Sequence, residues 1–354
     1  MELSELGWTS SLGEAFETYE NDALVPGRVS AGHTRLHRVL TRHGELLAEV
    51  TGRLRHEARG PQDLPAVGDW VAVAPRLEEG RGTIHAVLPR RSAFVRRAAG
   101  PATAAQVLAA NVDTVFLVAG LDGDFSPRRV ERALVLAWES GASPVVLLNK
   151  ADLGGDLEAR RREIEAAAPG VPVHAVSALL GDGLDALASY LAPGRTVALL
   201  GSSGVGKSTL VNRLLGRERQ PTAPVRAHDQ TGRHTTTHRE LIVLPGGAVL
   251  LDTPGLREIQ LWATEDGLLA AFDDVARLAA GCRFRDCRHR DEPGCAVRAA
   301  VAAGDLSAER LESHRKLEAE LRHLEVRADV GLQREQKAKW RAIHKAARRH
   351  RPRE

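Results

Sequence analysis

The stretch Gly201-Ser-Ser-Gly-Val-Gly-Lys-Ser-Thr209 constrains the fold of this chain more than any other segment. It follows the apolar run Thr196-Val-Ala-Leu-Leu200 and opens a helical pattern over 208–215. Glycines at 201, 204 and 206 let successive backbone N–H groups turn inward around an anion, and the helix behind them adds the positive end of its dipole. A strand, such a loop and a helix in succession call for a second, parallel strand, because the helix has to cross back over a sheet face. In this context the loop reads as a phosphate cradle formed by Gly201, Ser202, Ser203, Gly204, Val205, Gly206 and Thr209. Lys207 is expected to place a point charge on the β and γ phosphates, and Ser208 to ligate Mg²⁺.

The rest of the chain supplies the sheet that the loop requires. Apolar runs at Thr114–Ala119, Pro144–Asn149, Val171–Val176, Glu240–Leu244 and Ala248–Asp252 alternate with helical patterns at Pro127–Ser140 and Leu157–Ala168. That alternation predicts a mostly parallel α/β sheet covered on both faces. Ahead of it, from Arg28 to about Phe94, short period-two runs split by Gly and Pro suggest a five-stranded barrel of the OB type. Its aromatics are chiefly Trp70 and Phe94, so base stacking there would be limited. Residues 1–28 read as an acidic lead segment, 29–97 as the barrel and 98–275 as the α/β domain, entered through the small-residue linker 98–105. Residues 276–354 form a helical C-terminal module with a charged helix from Ser307 onward.

Charge is nearly balanced, 49 basic against 46 acidic residues, but it is unevenly spread. Between Gly331 and Glu354 nine Lys/Arg face two acids, and between Arg28 and Gly60 seven Arg face three. Arg90, Arg91, Arg96 and Arg97 add to the second group. Two basic ends suggest a polyanion such as RNA. The stretch 333–353, with Trp340 and Ile343 among its basic residues, reads as a basic amphipathic helix for RNA phosphates; its thin apolar face argues against a membrane surface. No apolar run approaches the roughly 18 residues of a membrane span. The first 22 residues hold six acids and no Lys or Arg, the reverse of a targeting segment. A cytoplasmic, monomeric protein is expected.

Two further strand ends carry base-reading chemistry. Asn149-Lys-Ala-Asp152 closes one apolar run, and the Asp152 carboxylate can accept two hydrogen bonds from the N1 and N2 edge of guanine, which adenine does not offer. Asn149 would hold the neighbouring purine edge and loop, the Lys150 stem would lie over the base, and Ser177-Ala178 would offer backbone contacts to O6. Asp252-Thr-Pro-Gly255 closes another run, where a Mg²⁺-side aspartate and a γ-phosphate-sensing glycine belong. The chain holds six lysines, of which only Lys150 and Lys207 precede Lys316, although it has 49 Lys plus Arg. Ahead of Lys316 a compact ammonium is thus kept only at the two motif positions and Arg is used otherwise.

The three cysteines fall within 14 residues, beside a histidine: Cys282, Cys287, His289 and Cys295. Three thiolates and an imidazole can complete a closed tetrahedral Zn²⁺ site without an open catalytic position. His314 and His323 follow on the next helix and are expected to be solvated.

Taken together these motifs resemble a TRAFAC-type GTPase in rotated order, with the guanine-reading elements ahead of the phosphate loop, as in circularly permuted GTPases. With a barrel before it and a Cys/His cluster after it, the chain is similar to the ribosome small subunit-dependent GTPase A family. The resemblance implies GTP/GDP with Mg²⁺ and one structural Zn²⁺ on the four residues above. It also implies binding to the small ribosomal subunit and its rRNA, with GTP hydrolysis during late maturation. Thr231–His238 resembles the family's Gly-x-His-Thr-Thr segment, which makes Thr236 (or its neighbour Thr235) a Mg²⁺-side hydroxyl and His234 a candidate for positioning the attacking water. Leu256 stands where many GTPases carry a water-orienting glutamine, so slow hydrolysis, stimulated by the partner, is expected. Two other readings stay open: a non-hydrolysing, nucleotide-gated RNA-binding factor, and a P-loop ATPase with an accidental Asn-Lys-x-Asp turn.

Overall fold

The computed structural model describes residues 2–32, 36–97, 105–123, 125–217, 239–252 and 265–328. His234, Thr236, Gly255, Leu256 and the basic stretch 333–353 lie outside the described residues. The chain divides into two compact units, Met1–Leu261 and Trp262–Glu354.

The first unit opens with a 3-10 turn at Leu3–Leu6 and helix α1 (Ser10–Phe16) and continues into strands β1 (Val25–Gly32), β2 (Leu36–Thr41) and β3 (Gly44–Val50). Helix α2 (Gly52–Glu57), capped by the Thr51 hydroxyl on Leu54 N, precedes β4 (Trp70–Arg76) and β5 (Arg81–Val87). The pairing runs β1-β2-β3-β5-β4, and β4 returns to β1, so the five strands close into a barrel. Closure leaves no unpaired edge within the five. In β2 the alternation places His37, Val39 and Thr41 inward. They meet a core of Val29, Ala48, Val71, Val73 and Ile84. The acidic lead segment is itself folded. Leu6, Leu12 and Phe16 join Trp70 and Leu88 in a second cluster, where the Trp8 and Trp70 rings meet edge-on at 4.8 Å. Trp70 and Phe94 are both buried, which removes them from any role in base stacking.

Strands β6 (Ala93–Arg97) and β7 (Ala105–Ala110) form an antiparallel ribbon on either side of 98–104, residues outside those described. The α/β part follows as β8 (Thr114–Gly120), α3 (Pro127–Ser140), β9 (Ser143–Asn149), α4 (Leu157–Ala167), β10 (Val173–Val176), β11 (Thr196–Leu200), α5 (Lys207–Leu215), β12 (Glu240–Val243) and β13 (Val249–Asp252). Its spatial order is β10-β9-β8-β11-β13-β12, parallel throughout except for β12. Near-continuous apolar strands follow from burial on both faces. Phe116, Val118, Val145, Leu147, Val197 and Leu199 pack with Leu210 and Val211 of α5. The alternate residues Val115, Leu117, Val146 and Leu148 are buried as well, and α3 packs on β8 and β9. One bridge, Ala31 to Glu240, joins β1 to β12, so barrel and α/β sheet form one eleven-stranded sheet. Arg28 anchors this region. Its buried guanidinium donates to Leu6 O, Gly68 O and Asn111 O and lies 5.6 Å from the Trp70 ring centre.

The second unit carries α6 (Glu265–Ala271), α7 (Asp273–Ala279), α8 (Ala296–Ala303) and α9 (Ala308–Ala328). Helix α7 spans the boundary expected at 275/276. Arg310 ties α9 to the preceding helices through a two-pronged contact with Asp274, both arms at 3.0 Å, and stands 4.0 Å over Phe272. Among the described residues no helix is long and apolar enough to cross a membrane.

Candidate nucleotide-binding site and metal centre

The parallel strands bring the sequence motifs to one edge. Asn149 ends β9, Ser177 follows β10, Gly201 follows β11 and Asp252 ends β13, so all four sit at the carboxyl ends of neighbouring strands. Ligands of open α/β sheets bind at that edge.

The phosphate loop has the backbone its glycines predict. Gly201, Gly204 and Gly206 take φ of +151°, +83° and +95°. A Cβ on Gly201 would stand 2.4 Å from Val118 O, and one on Gly206 2.2 Å from Asn149 Nδ2. A side chain at 201 would have to displace the end of β8, and one at 206 the Asn149 amide. Lys207, buried at the start of α5, donates its ammonium to Gly201 O at 2.6 Å and to Ser202 O, across the mouth of the loop. Ser203 and Gly204 are exposed, while Ser202, Ser208 and Thr209 are half-buried and Val205 is buried.

Asn149 joins the three loops. Its Nδ2 donates to Val205 O in the phosphate loop at 2.8 Å, and its Oδ1 accepts from Ala178 N at 2.9 Å. Both ends of the amide thus hold the loops together. Asp152 lies in a tight turn over 151–153, where its Oδ1 accepts from the Ser177 hydroxyl at 2.5 Å. Lys150 takes a left-handed φ of +67°, and its ammonium is bound by Asp122. Asp252 is half-buried at the end of β13, opposite Glu240.

Two residues of this edge escape a motif reading. Asp122 follows β8 and reaches Lys150; the only sequence sign is an acid just past the strand beside the Asn-Lys-x-Asp strand. Arg213 of α5 donates to Ala178 O at 3.3 Å and to Leu179 O, fixing the loop that follows Ser177. Nothing in the local pattern distinguishes it from any other helical arginine.

In the second unit the four candidate ligands converge. Their ligand atoms lie within 4.8 Å of one another. Cys282 Sγ is 3.6 Å from His289 Nδ1 and 3.9 Å from Cys295 Sγ, and Cys295 Sγ is 3.5 Å from His289 Nδ1. Tetrahedral zinc with bonds of about 2.3 Å to sulfur and 2.0 Å to nitrogen separates its ligand atoms by roughly 3.5–3.8 Å, so the set fits that ion. Burial pushes the Cys282 thiol up, but the N–H groups of Val297 and Ala296 together with the neighbouring Cys287 and Cys295 hold it below its ordinary value. Cys295 caps α8, its Sγ accepting from Arg298 N at 3.5 Å. His289 is held in a left-handed conformation, φ +58°, and burial lowers its imidazole toward the neutral, ligating form. His314 is not solvated as expected. It packs at 5.2 Å on Phe272 and 6.5 Å from His289, and burial lowers it too. The side chain of His323 is not among those described.

The family model described as RsgA GTPase matches residues 87–262. The small ribosomal subunit biogenesis GTPase RsgA of Opitutus terrae is 52% identical over 98% of this chain and 97% of its own length. Its namesake from Syntrophotalea carbinolica is 46% identical over 99% and 98%. Among solved structures, YjeQ from Thermotoga maritima is 30% identical with a TM-score of 0.65, covering 84% of this chain and 98% of its own. YloQ, described as a circularly permuted GTPase, agrees in fold: TM-score 0.62 at 23% identity, over 86% of this chain and 97% of its own. The rotated order of guanine motif and phosphate loop, the barrel ahead of it and these full-length likenesses agree: the chain belongs to the RsgA GTPase family.

Proposed function

We propose that this protein binds the small ribosomal subunit through its rRNA and hydrolyses GTP during late maturation of that subunit. The observation that carries the guanine reading is the Asn149 clamp, which joins the phosphate loop to the Ser177-Ala178 loop next to the Asp152 carboxylate. In this reading Lys207 and Ser208 serve the phosphates and Mg²⁺, and Asp252, Gly255 and Thr236 complete the Mg²⁺ and γ-phosphate side. His234 orients water. Zn²⁺ on Cys282, Cys287, His289 and Cys295 is structural, since four protein ligands leave no open position.

The RNA partner is supported by charge as well as by the relatives' names. In the loop that carries the Cys/His cluster, Arg283, Arg285, Arg288 and Arg290 are exposed, and none forms an ion pair among the described residues. They surround Phe284, also exposed, with the Arg283 guanidinium 5.5 Å from its ring centre. Cations with an exposed ring suit phosphates and unstacked bases.

GTP turnover measured alone, with small subunits and with large subunits as the control tests the proposal. Strong stimulation by small subunits only is expected. Intact GTP binding without stimulation would replace it with a nucleotide-gated binding factor. Asp152→Asn should exchange guanine for xanthine nucleotide; a nucleotide preference unchanged by the substitution would point to an ATPase.

A further inference from the structure

Lys150 presents a problem that its motif does not solve. Its ammonium sits on a flexible four-carbon stem, and Asp152 lies two residues on in the same loop. A lysine free to choose would pair with that carboxylate and block the acceptor a guanine edge needs. It would also lose rotamer entropy on becoming the floor under a base.

The structure answers with Asp122. The backbone at 149–150 is fixed from both sides: Leu121 N donates to Asn149 O at 2.9 Å, and the Asn149 amide is held at both ends. Lys150 is thereby kept at φ +67°, a conformation a non-glycine residue adopts only where its surroundings impose it. From there its ammonium crosses to Asp122, past the end of the neighbouring strand β8. Both side chains are mostly shielded, 21% and 28% exposed, so the pair is weakly screened by water. Asp152 meanwhile engages the Ser177 hydroxyl.

We infer that Asp122 is a positioning residue for guanine nucleotide: it holds the Lys150 ammonium so that the stem is ordered before the base arrives and Asp152 remains available to the base. The inference rests on the guanine reading above and deepens it. Preorganisation of this kind acts on affinity, because the cost of ordering is met before binding. It also acts on base choice, because a Lys150–Asp152 pair would weaken the contact that distinguishes guanine from hypoxanthine, which lacks the N2 amino group.

The test is a double-mutant cycle on the full-length protein, reading dissociation constants for GDP and IDP. Asp122→Asn keeps the shape and removes the charge; Lys150→Met keeps the stem and removes the ammonium. Asp122→Asn alone is expected to weaken GDP about tenfold and to shrink the GDP-over-IDP preference, while Asp122→Glu restores most of both. In the Lys150→Met background Asp122→Asn should change GDP affinity less than twofold. An equal loss in both backgrounds would assign Asp122 a general structural role and overturn the inference, as would unchanged GDP and IDP affinities in Asp122→Asn. Failure of the wild-type protein to bind GDP would instead remove the guanine reading, and this inference with it.

Discussion

Truncation of Asn149 to alanine tests whether the guanine and phosphate sides of the site form one assembly. The side chain is 1% exposed, and the residues it serves, Val205 and Ala178, are each 2% exposed. Removing it deletes hydrogen bonds of 2.8 and 2.9 Å and strands one buried carbonyl and one buried N–H. A net contribution of about 1 kcal/mol per bond plus a desolvation cost of about 1 kcal/mol or more for the stranded groups sums to roughly 3 kcal/mol. At about 1.4 kcal/mol per factor of ten, that is on the order of a hundredfold in an equilibrium constant. Nucleotide binding requires both loops in place at once, so most of the loss should appear as weaker GDP binding rather than as unfolding. Titration with a fluorescent GDP analogue, with circular dichroism to confirm an intact fold, reads this directly. Asn149→Asp sharpens the test. It keeps the acceptor for Ala178 N but turns a carboxylate toward Val205 O, so affinity should be poor at neutral pH and recover as acid protonates the buried group. GDP binding by Asn149→Ala within twofold of wild type would refute the argument that the amide links the loops.

Three more outcomes follow from the same geometry. Gly206→Ala places a Cβ 2.2 Å from Asn149 Nδ2 at a left-handed φ, and equilibrium dialysis should find GDP binding lost while urea denaturation changes little. The purified protein should hold one zinc per chain by elemental analysis; Cys295→Ser, which also alters the cap of α8, should abolish it and raise proteolysis within the C-terminal unit while GDP binding persists. Burial holds the His314 imidazole below its ordinary 6.5, so the unfolded chain binds more protons as the medium acidifies. The stability this contributes is complete above pH 6.5 and declines as pH falls toward the lowered folded value; in hydrogen exchange across α9, His314→Phe should flatten that decline, and an unchanged slope would rule His314 out as its source.

The sequence by itself determined the reaction class. Glycine spacing at 201–206 dictates a backbone cradle whatever surrounds it, the positions of Asn149 through Asp152 at a strand end supply the carboxylate on which the proposed guanine reading rests, and three cysteines crowded into 14 residues beside a histidine leave few alternatives to a metal. The alternating pattern from Arg28 onward likewise determined a barrel, because period two with one buried face has few other solutions. Tertiary structure alone decided what these residues do to one another. The Asn149 amide serves loops at Val205 and Ala178, dozens of residues away, and no local pattern encodes which of its possible partners it meets. Asp122 and Arg213 acquire roles only because β8 and α5 are brought beside the guanine loop. The lead segment looked like an acidic approach to the barrel, yet it supplies Leu6, Leu12 and Phe16 to a core with Trp70. His314 reads as a solvated helix position, but packing turned it toward Phe272 and His289. Local chemistry is written in spacing, which the chain carries with it. Burial and partnership depend on which surfaces meet, and only the folded sheet and helices settle that.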